Sequence, residues 1–462
     1  MEGNNNRQGK FSPVRIIVFG FLFLIVTGAI LLWLPISSAE GVFTSPIDAL
    51  FTSTTSVCVT GLTTVTTASH WSLFGKIVIL ILIQLGGLGV VCAGIGVMIV
   101  IKKKITMRER LLIQTAYNLE NIDGMVRLIK NVTMGAFTVE LIGAVFYGIV
   151  FIPDYGFIKG IWYSIFHSVS AFCNAGIDLI GDSSLSVYRY NPVINITTML
   201  LIIVGGIGFI VWWDIKKVVL ESIRKKRMRG QLFKRLSVHS KVAVVTTVIL
   251  IFGGAFIILI SEYNNPDTIK DMSTGSKIMA SLFESVTVRT AGFFTIPQGN
   301  FRDTSYIIIL ILMLIGGSPM GTAGGLKTTT AAMMFLCVRS TVKGHKGTEA
   351  FNRRISSDSV RTAISVLAIV AAIIIGAVFI LSVIEPFGLR DICFEVVSAM
   401  GTVGLTTGVT GSFSMAGKFI LCMVMFAGRI GPITLAMAFN MRRGKRKKEN
   451  MRDLAEGRII IG

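Results

Sequence analysis

Long apolar runs alternate with short basic blocks along the 462-residue chain. Runs near the ~20 residues a helix needs to cross a bilayer fall at 14–36, 74–101, 131–152, 193–215, 242–260, 305–335, 362–384 and 415–439. Between the two runs of each pair sits a stretch rich in Ser, Thr and Gly, too short and too polar to cross by itself. These stretches align with one another: Phe51 to Gly61, Phe166 to Gly176, Phe283 to Gly292 and Phe394 to Gly404, their glycines 115, 116 and 112 residues apart. A second landmark follows each glycine by 24 to 29 residues: Gly86-Gly87, Gly205-Gly206, Gly316-Gly317 and Gly428. The pattern predicts an all-α membrane protein with eight transmembrane helices in four helix–pore loop–helix repeats around one central pore. The repeats span 14–101, 131–215, 242–338 and 362–440. Linkers at 102–130, 216–241 and 339–361 separate them, and a tail covers 441–462.

The charges orient this array. Segment 102–130 carries seven Lys and Arg, 216–241 ten, 339–361 six, and Arg442 to Lys448 six more, whereas Ile36 to Gly75 carries none. Basic loops stay on the cytoplasmic side, so both termini and all three linkers are expected there, with the four loops entering from outside. Composition agrees: 52% hydrophobic, 15% charged, mean hydropathy +0.72. The net charge of +20 sits in blocks that topology and anionic lipid explain, not on a nucleic-acid-binding face. Segment Glu109 to Ile129 looks helical and could also dock a regulatory partner. The first run is too long for a signal peptide and lacks a small-residue cleavage site.

Irregular backbone at membrane depth is tolerated where it lines water or is buried in protein. Four such loops in one chain can surround one axis, each a short helix whose C-terminal end, partly negative, points at a central cavity. The extended stretches Cys58-Val59-Thr60-Gly61, Cys173-Asn174-Ala175-Gly176, Arg289-Thr290-Ala291-Gly292 and Gly401-Thr402-Val403-Gly404 can then offer rings of carbonyl oxygens to a dehydrated cation. None of the sixteen is acidic, which favours a weakly hydrated monovalent ion over a divalent one.

Other chemistry is sparse. The six cysteines and four histidines are scattered without metal-ligand spacing. The run Gly316-Gly317-Ser318-Pro319-Met320-Gly321-Thr322-Ala323-Gly324-Gly325-Leu326-Lys327 imitates a phosphate loop but places Leu326, not glycine, before the lysine. Its glycine pairs and proline break the sixth span into a loop that can cross the cavity below the filter. Arg429 lies inside the eighth span, where a charge needs a partner. It can either hold the carbonyls of this loop or snorkel to the cytoplasmic interface. Glu284 and Glu395 share one aligned place and can pair with Arg289 or cap backbone. Asp178 and Asp182 belong near the outer mouth, where they would concentrate cations or simply be solvated.

The stretches SVCVTGL, FCNAGID, TVRTAGF and GTVGLTT, with GGSPMGTAGGLKTTT and GRIGPITL, resemble the Trk/Ktr/HKT superfamily of potassium and sodium transporters over nearly the whole chain. The length and the short tail are more like the Ktr membrane subunit. The resemblance implies gated potassium uptake across a bacterial cell membrane, sodium as a further activator, and no organic cofactor. It also implies a homodimer and a separately encoded cytoplasmic ring of nucleotide-binding regulatory subunits. The filter glycines carry over as Gly61, Gly176, Gly292 and Gly404. Plant relatives that prefer sodium have serine in the first place, so Gly61 points to potassium. Residues 316–327 carry over as the gating loop and Arg429 as its latch. Met320 departs from the family's usual glycine and can tighten the constriction or turn aside. The competing reading is a secondary transporter for another cation or small solute; the spans hold no catalytic pair that would suggest an enzyme.

Overall fold

The computed structural model describes residues 13–89, 92, 125–181, 183–224, 232–345, 347–431 and 434–435. The expected linker 102–130 and the tail therefore lie largely outside the described residues, as does Asp182. The described chain is a helical membrane protein in which one unit recurs four times: a long first helix, a short helix, and a second helix. The first helices are Pro13–Trp33, Met125–Tyr155, Val238–Glu262 and Ser357–Ile384. By length and composition these four can each cross a bilayer, among the described residues. Their outer faces carry Phe19, Phe23, Phe137, Phe252 and Phe379, all more than half exposed, as lipid requires.

The short helices are Pro46–Cys58, Phe157–Phe172, Thr274–Thr287 and Leu389–Gly401. They are buried at their C-terminal halves, around Phe51, Phe166, Phe283 and Phe394, each 0% exposed. Two residues after that phenylalanine a serine docks three of the four onto their own first helix. Ser53, Ser168 and Ser285 donate to the carbonyls of Ile25, Glu140 and Ile251 at 2.6, 2.5 and 2.7 Å. Three residues beyond each acceptor stands a glycine (Gly28, Gly143, Gly254) where any side chain would strike that hydroxyl. Small residues at a crossing let helices approach closely inside a membrane. The fourth repeat has Val396 instead, and its Gly376 faces open space.

The second helices differ from the expected spans, of which only the third was expected to be interrupted. They run Leu73–Leu88, Pro192–Gly206, Asp303–Leu314 and Met415–Ile430, each stopping at its glycine landmark. Gly89, Gly208 and Gly431 follow the landmark by three residues with φ of 84°, 96° and 89°. That left-handed conformation ends a helix, and glycine adopts it without strain. In the third repeat Pro319 holds that place. After the break in the second repeat, residues 209–223 leave at 95° to the preceding helix, so 193–215 is a bent pair rather than one rod. After the break in the third, a helix resumes at Thr328–Val342. The all-α expectation needs one small amendment: Glu349–Ala350 pairs antiparallel with Arg353–Arg354 in the third linker.

Candidate functional site

The four glycine stretches, their glycines 115, 116 and 112 residues apart along the chain, meet around one axis. A methyl group at Gly61 would stand 2.6 Å from the Ala175 carbonyl oxygen and 3.2 Å from the Gly404 Cα. One at Gly292 would stand 2.6 Å from the Val403 oxygen and 3.2 Å from the Gly176 Cα. Gly176 abuts the Ala291 carbonyl and Gly404 the Thr60 carbonyl in the same way. Each glycine thus faces the carbonyl just before the glycine of the next repeat, in the order one, two, three, four and back to one. The ring closes only if every member lacks a side chain.

The backbone repeats as faithfully. Two residues before each glycine a non-glycine residue has positive φ: Val59 55°, Asn174 61°, Thr290 73° and Thr402 51°. For Val59, Thr290 and Thr402 this costs roughly 1–2 kcal/mol each, while asparagine tolerates it better. The same left-handed conformation at four equivalent places, strained at three of them, points to a functional constraint. All sixteen residues of the stretches are buried.

A hydroxyl missed in the sequence holds each turn. Four residues after the repeat phenylalanine stand Thr55, Ser170, Thr287 and Ser398. Thr55 Oγ1 accepts from Gly61 N at 2.9 Å, and Ser398 Oγ from Gly404 N at 3.1 Å. Ser170 Oγ donates to Ile177 O at 2.6 Å, and Thr287 Oγ1 to Phe293 O at 2.5 Å. The fourfold alignment already contained this signal. Thr287→Val keeps the shape but leaves the Phe293 carbonyl unpaired, a cost of about 1–3 kcal/mol. It is expected to lower the thermal midpoint of the purified protein, whereas Thr287→Ser is not; equal midpoints would remove the clamp from the account.

Outside the ring lies a vestibule of about 500 Å³ lined by the four glycines, Thr63, Thr66, Asp178 and Gln298, among others. Asp178 lines this vestibule, its carboxylate also accepting from Ile180 N at 3.0 Å. Glu395 caps the loop beyond the fourth glycine, accepting from Thr406, Thr407 and Thr410. His167, at the aligned place in the second repeat, accepts from Leu179 N at 3.4 Å. Of the two roles open for Glu284, the pairing with Arg289 is not made. Arg289 instead reaches the Gly316 carbonyl at 3.2 Å, because the end of its own second helix leaves that oxygen without a helical partner.

On the other side of the ring lies the loop 316–327. Its stem is closed by Gly316 N to Leu326 O at 2.8 Å, Thr328 N to Gly317 O at 3.0 Å and Ser318 Oγ to Thr328 Oγ1 at 2.8 Å. Its tip lies on the broken second helix of repeat two, with Ser318 N and Thr322 N on the carbonyls of Gly206 and Gly205 at 2.8 and 3.1 Å. Gly325 comes within van der Waals reach of Gly401, its missing Cβ 2.9 Å from that carbonyl. Lys327 folds back onto the Ala323 carbonyl at 2.7 Å. Met320 has φ 58°, which explains why glycine suits that place: the requirement there is conformational before it is one of size. Its carbonyl accepts from Phe209 N at 2.9 Å.

Arg429 stands where the other repeats have Gly87, Gly206 and Gly317. Its guanidinium donates to the carbonyls of Thr322 and Gly86 and to that of Gly87 at 3.1 Å. Of the two readings open in the sequence, the geometry matches a residue engaged with the loop. A further buried residue is Glu140, a lone acid within the apolar run 131–152 that sequence reasoning missed. It is buried and accepts from Gln84 Nε2 at 3.0 Å, with Cys173 Sγ 4.0 Å away. An ionisable residue alone in a membrane helix is a signal in itself.

Fold and site together define a class: a helical membrane protein whose four like repeats close one axial constriction with a vestibule on one side and the loop 316–327 on the other. The chain belongs to the TrkH family, described as cation transport proteins, which matches residues 11–448. It is 40% identical over 433 residues to the potassium/sodium uptake protein NtpJ of Enterococcus hirae, covering 93% of each chain. It is 36% identical to the Ktr system potassium uptake protein B of Bacillus subtilis, over 98% of this chain and 97% of the relative. The fold is similar to that of the potassium transporter TrkH from Vibrio parahaemolyticus, with a TM-score of 0.72 at 17% identity, covering 94% of this chain and 86% of that one.

Proposed function

We propose that this chain takes up potassium across a bacterial cell membrane through a gated, channel-like pore. The observation that carries the reading is the closed ring of four glycines, each set against a neighbour's backbone carbonyl, with no carboxylate among the sixteen residues. Such a ring replaces hydration oxygens with carbonyl oxygens, which suits a monovalent ion. The short helices run into the ring with their partly negative ends, which lowers the cost of holding a cation there. Residues 58–61, 173–176, 289–292 and 401–404 form the filter, and 316–327 with Arg429 form the gate. The names of the relatives from Enterococcus hirae and Bacillus subtilis support potassium as the ion. A Ktr-type system further implies a homodimer and a cytoplasmic nucleotide-binding regulatory subunit, with both termini and the basic linkers on its side and sodium as an activator.

The test is growth of a potassium-uptake-deficient bacterium at low potassium, together with rubidium uptake, with and without sodium and the regulatory partner. The chain is expected to restore growth and saturable rubidium uptake. A protein present and folded in the membrane that moves neither ion, even with the partner, would sink the reading.

A further inference from the structure

Of the four residues with positive φ ahead of the ring glycines, only Asn174 carries an amide; the others are Val59, Thr290 and Thr402. Asparagine tolerates the left-handed conformation well, so the place is available to it without special strain. Its side chain is nonetheless engaged at both ends of the amide. Asn174 is 1% exposed. Its Nδ2 donates to Thr290 Oγ1 in the third stretch at 3.2 Å, and its Oδ1 lies 3.1 Å from Thr322 Oγ1, which donates to it. Thr322 belongs to the inner loop, and its single hydroxyl proton is shared between this oxygen and the Phe172 carbonyl, 3.0 Å away at the end of the second short helix. The same residue gives its amide to Gly205 O and its carbonyl to Arg429. A continuous chain therefore runs from Arg429 through Thr322 and Asn174 to Thr290, joining the inner loop to two adjacent members of the ring. All three side chains of the link Thr322–Asn174–Thr290 are buried, so water does not compete for these bonds.

We infer that Asn174 is a positioning residue that couples the gate to the filter: with the loop docked, Thr322 fixes the amide, and the amide fixes Thr290 and the second stretch in their ion-binding geometry. The inference rests on the reading of the sixteen residues as a filter. Its consequence is that ion preference depends on a hydroxyl that lies in the loop and contributes nothing to the ring itself. Coupling of this kind is reciprocal, so an ion that favours the fixed geometry also favours the docked loop. A loop that merely plugs the cavity changes how much ion passes and leaves unchanged which ion passes. Preference between ions is therefore the quantity that separates the two.

The experiment measures rubidium and sodium uptake, as a ratio of kcat/KM values, in proteoliposomes of full-length protein. Thr322→Val removes the hydroxyl and keeps the shape; it is expected to lower the rubidium-to-sodium ratio at least threefold, while Thr322→Ser keeps the wild-type ratio. Asn174→Gly deletes the amide with no charge and no backbone strain, and is expected to lower the ratio similarly. Because both cut one chain, the double variant should fall no further than the larger single effect, where independent sites would multiply. A wild-type ratio in Thr322→Val, or multiplicative effects in the double variant, overturns the coupling. Thr322→Ala supplies the same deletion should the valine variant not fold. Gly61→Ser runs alongside: a lowered ratio there with an unchanged one in Thr322→Val defeats the coupling alone, whereas unchanged ratios in both defeat the filter reading as well.

Discussion

Gly61→Ser is expected to lower the preference for potassium over sodium at least tenfold, read as the ratio of uptake rates at low concentration. Gly61 has φ 102°, a conformation a residue with a side chain resists. Its missing Cβ would sit 2.6 Å from the Ala175 oxygen and within 3.4 Å of the Cα atoms of Gly404 and Gly176. Three of the four ring members are thus disturbed by one substitution. A shift of a few tenths of an ångström in a coordinating carbonyl is what selectivity between two monovalent ions feels, and tenfold corresponds to only about 1.4 kcal/mol. A variant with wild-type uptake and unchanged ion preference would show that the ring is not where ions are chosen.

Arg429→Ala is expected to raise rubidium uptake at least tenfold in proteoliposomes lacking any regulatory subunit. The guanidinium joins the loop, through Thr322, to the broken helix end of the first repeat, through Gly86 and Gly87. Hydrogen bonds from a charged donor contribute about 1.5–3 kcal/mol each. Losing the one on the loop is enough to move a two-state population by an order of magnitude. Arg429→Lys should fall between, because one ammonium lacks the planar fork that reaches two elements at once. Uptake that stays flat or falls, in a protein with unchanged thermal stability, would make Arg429 a brace between helices instead of a latch.

The glycine stretches show why so much was legible. A repeat of helix, short helix and helix leaves periodic marks, and the membrane forces apolar runs and basic loops to declare themselves. The ring glycines, the loop and Arg429 all surfaced because the glycines recur at aligned places, and because clustered glycines with a proline, or a charge inside a span, have few physical excuses. The hydroxyls Thr55, Ser170, Thr287 and Ser398 were equally aligned, but Ser and Thr are common in these stretches, so one position did not stand out. Glu140 was legible by charge alone and was passed over.

Other features had no local signature. Nothing in the neighbourhood of Arg289 says that it turns to the Gly316 carbonyl and leaves Glu284. Nothing near Asn174 announces Thr322, 148 residues away. The bend after Gly206 was visible as glycines, but a 95° turn needed the inner loop to occupy the carbonyls that the broken helix exposes. By itself, then, the sequence determined the fourfold unit, its membrane setting and the places where side chains are forbidden, since these follow from periodicity, hydropathy and backbone sterics. The tertiary structure alone decided the order in which the repeats meet, the partners of each buried charge and the contact between loop and ring. Those depend on groups distant along the chain being brought to hydrogen-bond range, which no local property of the sequence encodes.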